Sequence, residues 1–353
     1  MNQQPIRLPA EWECADAVLM AWPHHDTDWA PMLEEVRTCY ADIIAALAKR
    51  TTVILIGPEE PETRFLPKDH YAENVVYIDI PTNDTWTRDY GPITSVETSG
   101  NSRRLIINDF KFNGWGLKFA GDRDNLATGA LFRSGIFNGT YSNALNFVLE
   151  GGSIESDGNG TLLTTEDCLL SPNRNGASSI EEIESELRQR LGVSHFLWLH
   201  HGALEGDDTD GHVDTLARLV PPGDTIMYVG CQDRDDSHFE CLNMMLDDLK
   251  QLRTADGRPF HLIELPLPDP VFDPEDGHRL PATYANFLII NGAVLLPVYG
   301  QPMKDMLAQK IVAAAMPDYD VIPIDCRALI RQHGSLHCAT MQLPKGLLDF
   351  KKY

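Results

Sequence analysis

No run of about 20 consecutive apolar residues occurs in this 353-residue chain, so a helical membrane span is not expected. Its first stretch, MNQQPIRLPAEWECADAV, has no charged start followed by an apolar segment. A secretory signal peptide is therefore not expected, and the protein is expected to stay in the cytoplasm. Basic residues are scarce, 29 Lys and Arg against 52 Asp and Glu, for a formal net charge of -23. That deficit argues against nucleic acid, which needs clustered basic side chains to neutralise phosphates. It is compatible with a cationic ligand, although charge of this size serves solubility before anything else. The seven cysteines are odd in number, scattered, and never spaced as CxxC. A disulfide framework and a zinc site built on cysteine pairs are both disfavoured, and most of these thiols are expected to be reduced and buried. Neither GxGxxG nor GxxxxGK[ST] is present, so nothing points to a dinucleotide or a nucleoside triphosphate.

The hydrophobic content, 43%, is ordinary for a globular protein, and the length alone allows either two domains or one large one. Short apolar runs alternate with amphipathic stretches, the pattern of an α/β fold. Asp16 to Trp22 reads as a strand, Pro31 to Arg50 as a helix with Pro in its first turn, and TTVILIG and NVVYIDI as β-branched strands. Further helices are expected at Asp124 to Ile136, Ser179 to Leu191, Phe239 to Leu252 and Met303 to Ala315. Between them the strands come in groups joined by Gly, Asn or Asp, as in NFVLEGGSIES with GTLLTTEDCLL and TYANFLIING with AVLLPVYG. Such joints suit antiparallel turns and are unlike a doubly wound parallel sheet. Asp89, Glu150 and His212 recur at intervals of roughly 60 residues, and Cys338 follows at about twice that interval. A fivefold array of sheet-and-helix units would bring those strand ends to one central point.

Four segments place ionisable residues beside Gly inside otherwise apolar strands: TRDYGP, LEGGS, DTDGHVD and GSLHCAT. A carboxylate taken from water needs a cation or hydrogen-bond donors, so several near each other call for a positive partner. Cys338, flanked by Gly334, Ser335 and His337, is the best-placed nucleophile, whereas Cys39 and Cys241 lie on helical patterns. His212 can exchange protons near neutral pH, and on a strand it would share a face with Asp214. A rival use of the same run is a metal site from Asp207, Asp208, Asp210, His212 and Asp214, although the EF-hand spacing is absent. Around one cavity, Asp89 and Asp214 could grip the forked N–H donors of a guanidinium, with Glu150 orienting His212. Trp86 and Trp115 could stack on a planar cation.

Taken together and in order, these motifs resemble the agmatine deiminase and bacterial-type peptidylarginine deiminase family. The series runs LPAEWECADAVLMAWPH, NDTWTRDYGP, NDFKFNGWG, NFVLEGGSIESDGNGTLLTTEDCLL with SPNRN, LEGDDTDGHVDTLARL, ATYANFLIING and GSLHCATMQ. The resemblance implies one catalytic domain over residues 1–353 with the pentein fold, a fivefold pseudosymmetric α/β propeller of ββαβ-type units. It aligns Cys338 with the nucleophile, His212 with the general acid/base, Glu150 with the acid beside it, and Asp89 and Asp214 with guanidinium-binding carboxylates. Trp86, Trp115 and Asp208 fall at substrate contacts. LEGDDTDGH departs from the YGDEDTNGH-like form of plant agmatine deiminases, which leaves recognition of the substrate tail open. The activity implied is deimination of agmatine to N-carbamoylputrescine and ammonia through a covalent amidino-cysteine, without metal or organic cofactor. Peptidylarginine or free arginine is the alternative substrate, and a non-catalytic binder of polyamines or metal is the alternative of another class. The expected partner is a small cationic guanidinium compound, neither nucleic acid nor membrane, with a homo-oligomer left open.

Overall fold

The computed structural model describes residues 6–100 and 102–349. They form a mixed α/β fold built from five separate sheets. The same plan recurs in each sheet: an antiparallel pair, a helix, then a strand that returns parallel. Ile93–Ser99 runs antiparallel to Ser102–Lys111, and Thr140–Val148 returns parallel, with Ile6–Arg7 added at the far edge. Glu155–Ser156, Thr161–Thr165 and His195–Leu199 repeat the plan, as do Ala217–Val220, Thr225–Gly230 and His261–Pro266. Leu288–Ile290, Ala293–Val298 and Asp320–Asp325 make the next sheet. The last joins the two ends of the chain. Met341–Pro344 pairs antiparallel with Ala15–Ala21, followed in parallel by Thr52–Gly57 and Val75–Asp79.

Parallel neighbours need a long crossover, and helices supply it. They are Leu33–Ala48, Ala127–Ser134, Ile180–Leu191, Phe239–Gln251 and Pro302–Ala315, each within a residue or two of an expected helix except the second. There the expected Asp124 to Ile136 breaks into a 3-10 turn, Asp124–Leu126, and a shorter α-helix. The buried Asp124 carboxylate is turned aside to accept from the backbone N–H groups of Asn83 and Asp84. Helix Ile180–Leu191 starts as its sequence predicts, because Ser179 and Glu182 form a reciprocal capping box. Acidic Glu181 and Glu182 lie in its first turn and basic Arg188 and Arg190 in its last, matching the helix dipole.

Two expectations need correction. NFVLEGGSIES is not one strand: Thr140–Val148 belongs to the preceding sheet, Gly151–Ser153 is a 3-10 turn, and only Glu155–Ser156 pairs with Thr161–Thr165. DGHVD is not a strand either, since Val213–Thr215 is a 3-10 turn, so period-two alternation does not govern His212 and Asp214. The main apolar core cluster draws residues from all five sheets. A second forms around Ala217–Val220, Thr225–Gly230 and helix Phe239–Gln251, and Trp12 packs against both. Among the described residues no helix is long and apolar enough to cross a membrane, and all seven cysteines are free.

Candidate active site

In every sheet the first strand of the recurring pair is preceded by a short turn, and each turn carries one of the buried polar residues. Asp89 lies in the helical turn Thr87–Tyr90, before Ile93–Ser99. Glu150 opens the turn before Glu155–Ser156, and His212 and Asp214 flank Val213 in the turn before Ala217–Val220. Asn286 precedes Leu288–Ile290, and Cys338 precedes Met341–Pro344. The ionisable residues therefore end up in turns next to strands, not inside them as the sequence pattern was read.

The turns of Asp89 and of His212 and Asp214 meet at Gly152, in the turn that Glu150 opens. A methyl group placed on its Cα would lie 2.7 Å from His212 Nδ1, 2.8 Å from Asp89 Oδ1 and 3.0 Å from Asp214 Oδ2. Only a residue without a side chain lets the three groups approach so closely. The Gly152 N–H itself donates to Asp89 Oδ1 at 3.0 Å. Cys338 Sγ lies 3.9 Å from Asp214 Oδ2 and 3.4 Å from Asn286 Oδ1, and Asn286 Oδ1 also accepts from the backbone N–H groups of His337 and Cys338. His212 Nε2 is 3.8 Å from Glu150 Oε2 and Nδ1 is 3.6 Å from Asp89 Oδ1. Neither ring nitrogen, nor Asp214 Oδ1, has a hydrogen-bond partner. Five of the expected residues (Cys338, His212, Glu150, Asp89 and Asp214) are thus brought together and buried.

Electrostatics follow from that burial. Removal from water would push the His212 pKa down, but Asp89, Cys168 and Glu150 outweigh it and raise it well above the ordinary imidazole value. Burial pushes the Cys338 thiol well above its ordinary value, and the Asp214 and Asp89 carboxylates push it the same way. Burial also lifts Asp89 to about 6 against the opposing pull of His212, with Asp214 adding to the rise. Burial alone would raise Glu150, but His212 and Arg174 bring it below the usual range. Arg174 was not singled out from sequence: its Nε donates to both Glu150 oxygens, at 3.1 and 2.7 Å.

A cleft enclosing about 490 Å³ of empty space leads to Cys338. Trp86, Trp115 and Asp208 all line it, with Asp28, Asp84, Asp89 and Asp207, and among the described residues no Lys or Arg side chain does. Burial, reinforced by Asp28 and Asp208, pushes Asp84 up to about 7, and burial raises Asp208 as well. Trp86 packs against Gly334. Trp115 has a second task, since its Nε1–H donates to Asp89 Oδ2 at 2.9 Å. It is held there by one turn of left-handed helix, Gly114 to Leu117, with φ of 68°, 53°, 79° and 70°. Such a turn costs roughly 1–2 kcal/mol at each residue other than Gly. Gly114 is required, because a Cβ there would sit 2.0 Å from the Phe119 carbonyl oxygen.

The metal reading of the acidic run fails on its hydrogen bonds. Asp207 accepts from Thr209 and from the Gly211 N–H, while Asp210 pairs with Lys118 and Arg174, so both are spent within their own surroundings. Glu150, Cys168 and His212 do lie close enough to share an ion, but the Glu150 carboxylate already carries the Arg174 guanidinium.

A family model described as Porphyromonas-type peptidyl-arginine deiminase matches residues 7–344. A curated, provisionally named agmatine deiminase of Marinomonas sp. is 34% identical over 362 residues, covering 96% of this chain and 95% of that protein. A crystal structure of a provisionally named arginine deiminase from Porphyromonas gingivalis superposes with a TM-score of 0.90 at 47% identity, over 98% of this chain and 100% of the other. A Cys-to-Ser variant of C. jejuni agmatine deiminase with substrate bound superposes with a TM-score of 0.88 at 36% identity, over 97% of each chain.

Proposed function

The chain belongs to the Porphyromonas-type peptidyl-arginine deiminase family, and from that premise we propose that it hydrolyses agmatine to N-carbamoylputrescine and ammonia through an amidino-cysteine at Cys338. The observation that carries this reading is the meeting of His212, Asp89 and Asp214 at Gly152, with Cys338 Sγ 3.9 Å from Asp214, beside a cleft lined by aspartates. Relatives that are hydrolases of amidine C–N bonds support it from outside. The five-sheet plan, with the chain ends paired in one sheet, supports a closed fivefold propeller formed by residues 1–353 as a single catalytic domain. We place it in the cytoplasm.

In the empty enzyme the thiol is held protonated by burial and two carboxylates. A guanidinium seated between Asp89 and Asp214 offsets both charges, so the thiol gives up its proton to bulk water and the thiolate is exposed. The sulfur attacks the central guanidinium carbon, forming the C–S bond. His212, protonated beside its acids, gives its proton to the amino group as the C–N bond breaks and ammonia departs. The neutral imidazole then takes a proton from water, whose oxygen adds to the same carbon. Breaking the C–S bond frees the ureido product and returns the thiolate. Glu150, clamped by Arg174, supplies a fixed negative charge beside His212, and Asp89 is oriented by Trp115 and Gly152.

The aspartate rim suits a substrate cationic at both ends, and the lack of a lining Lys or Arg offers nothing to the α-carboxylate of free arginine. The family description keeps peptidylarginine as the second reading. Ammonia release from agmatine, arginine and an arginine-containing peptide separates them; a preference for the peptide overturns our choice. Cys338→Ala is expected to lose turnover by at least about 10³-fold and keep the wild-type circular dichroism spectrum. Substantial residual ammonia release would remove Cys338 from the mechanism.

A further inference from the structure

Behind the cleft lies a buried ionic network that the reaction steps above do not use. Its link to the site is His337, the residue before Cys338, which is 1% exposed and does not line the cleft. His337 Nδ1 lies 2.7 Å from Asp214 Oδ2, and Nε2 lies 2.6 Å from Glu11 Oε2. Arg218 Nη2 also lies 3.1 Å from His337 Nε2, so both ring nitrogens are engaged. Glu11 is fixed in turn: Arg218 Nη2 lies 3.0 Å from both its oxygens, and the Ile289 N–H donates at 2.6 Å. Arg218 Nε also binds Glu155, and Arg88 lies 3.7 Å from Glu11. Three carboxylates, Asp214, Glu11 and Glu155, thus face Arg88, Arg218 and His337 in one buried network.

We propose that His337 is a positioning residue that fixes Asp214 through Oδ2, so that the partnerless Oδ1 is presented to the substrate guanidinium. This rests on the reading of Asp214 as a guanidinium-binding carboxylate. Burial alone would raise the Asp214 pKa, but the His337 hydrogen bond and charge, aided by His212 and Arg218, hold it below the usual range. A carboxylate free to rotate would lose the geometry a paired N–H fork needs. His337 acts only through Asp214 and touches no reacting atom.

Two conservative variants separate this role from simple packing. The Asn amide in His337→Asn falls near the Nδ1 position and retains the bond to Asp214. The longer amide in His337→Gln reaches the Nε2 position and retains Glu11 instead. Steady-state kinetics are measured on the full chain with whichever guanidinium compound the wild type turns over best, alongside Tm. His337→Gln is expected to raise KM about ten-fold with a smaller change in kcat, while His337→Asn stays within about three-fold of wild type. Adding His337→Gln to Asp214→Asn is expected to raise KM no further than Asp214→Asn alone. Equal losses in the two His337 variants that track Tm, an unchanged KM in His337→Gln, or additive effects in the double variant would each overturn the proposal. Should His337→Gln fail to fold, Glu11→Gln loosens the same clamp from its far side and is expected to raise KM about three-fold; an unchanged KM there also overturns it. If the wild type releases ammonia from arginine or a peptide but not from agmatine, the substrate reading fails while the His337 comparison still stands.

Discussion

At the scale of single residues, the site couples protonation to occupancy. Asp89 stands at about 6 in the empty protein because burial lifts it further than His212 pulls it down. A carboxylate that must be charged to grip a cation sets an acid limb, so kcat/KM is expected to rise as pH increases through about 6. The linked effect on stability has the opposite sign. Asp89 has a folded pKa above its unfolded one, so the folded state holds its proton more tightly between about 4 and 6. Its contribution to stability is full below the unfolded value and is lost as pH rises through about 6. Asp84 behaves likewise up to about 7. A cation bound between these groups cancels that loss. In Cys338→Ala, which binds without turnover, agmatine is therefore expected to raise Tm more at pH 7.5 than at pH 5 (chosen to bracket both pKa values). An equal or larger increment at the lower pH would contradict the role given to Asp89. Sequence singled out Asp89, Glu150, His212 and Asp214 because charged groups stood beside Gly in apolar runs, but it did not single out Asp84. The residues that tune them, Arg174 on Glu150, His337 and Glu11 behind Asp214, and Cys168 beside His212, lie in quoted motifs but far in sequence from the groups they act on, so their roles were not legible.

At the scale of elements, the recurring unit explains both what was legible and what was missed. Apolar periodicity located the crossover helices, since each buries one stripe against its sheet. The roughly 60-residue spacing of Asp89, Glu150 and His212 reflects one polar turn per unit, but the doubled interval to Cys338 hid a member. That member is Asn286, in the turn before Leu288–Ile290, and it lies within the quoted TYANFLIING. A neutral residue gives no charge signal, so only the empty position halfway along the doubled interval could have exposed it. The strand assignment of DGHVD failed because the turn, rather than the alternation of a strand, aims His212 and Asp214. The same logic gives a local test. Gly152→Ala would insert a methyl group into the space shared by His212, Asp89 and Asp214, all of them polar side-chain atoms rather than backbone. Its expected result is a loss of kcat/KM of at least about 10²-fold with a fall in Tm of only a few degrees. Gly151→Ala would instead meet the Arg88 carbonyl oxygen at 2.2 Å, so there the loss of stability should dominate. Similar activity and Tm in the two variants would contradict the convergence at Gly152.

At the scale of the whole molecule, the charge of -23 gains a direction once the cleft is known. Before the fold is considered, an acidic surface serves solubility as well as it serves steering. The cleft separates the two uses, because its aspartates stand at the approach to Cys338 and, among the described residues, no Lys or Arg lines it, Lys118 acting on Asp208 from outside the lining. Walls of low polarizability around such a row concentrate the negative potential and attract a cation before contact. Added salt shortens the reach of that field, to about 10 Å at 0.1 M and about 3 Å at 1 M. Asp89 and Asp214, the groups proposed to hold a guanidinium, are buried and are screened far less. Salt should therefore act on the encounter and leave the chemistry alone. Raising ionic strength from about 0.02 to 0.5 M is expected to increase KM for agmatine several-fold while kcat stays within about two-fold. Asp28→Asn and Asp208→Asn, both on the cleft wall, should flatten that dependence by raising KM mainly at low salt. A KM indifferent to salt in the wild type would return the acidic balance to solubility alone, and leave recognition of the cation to the buried pair Asp89 and Asp214.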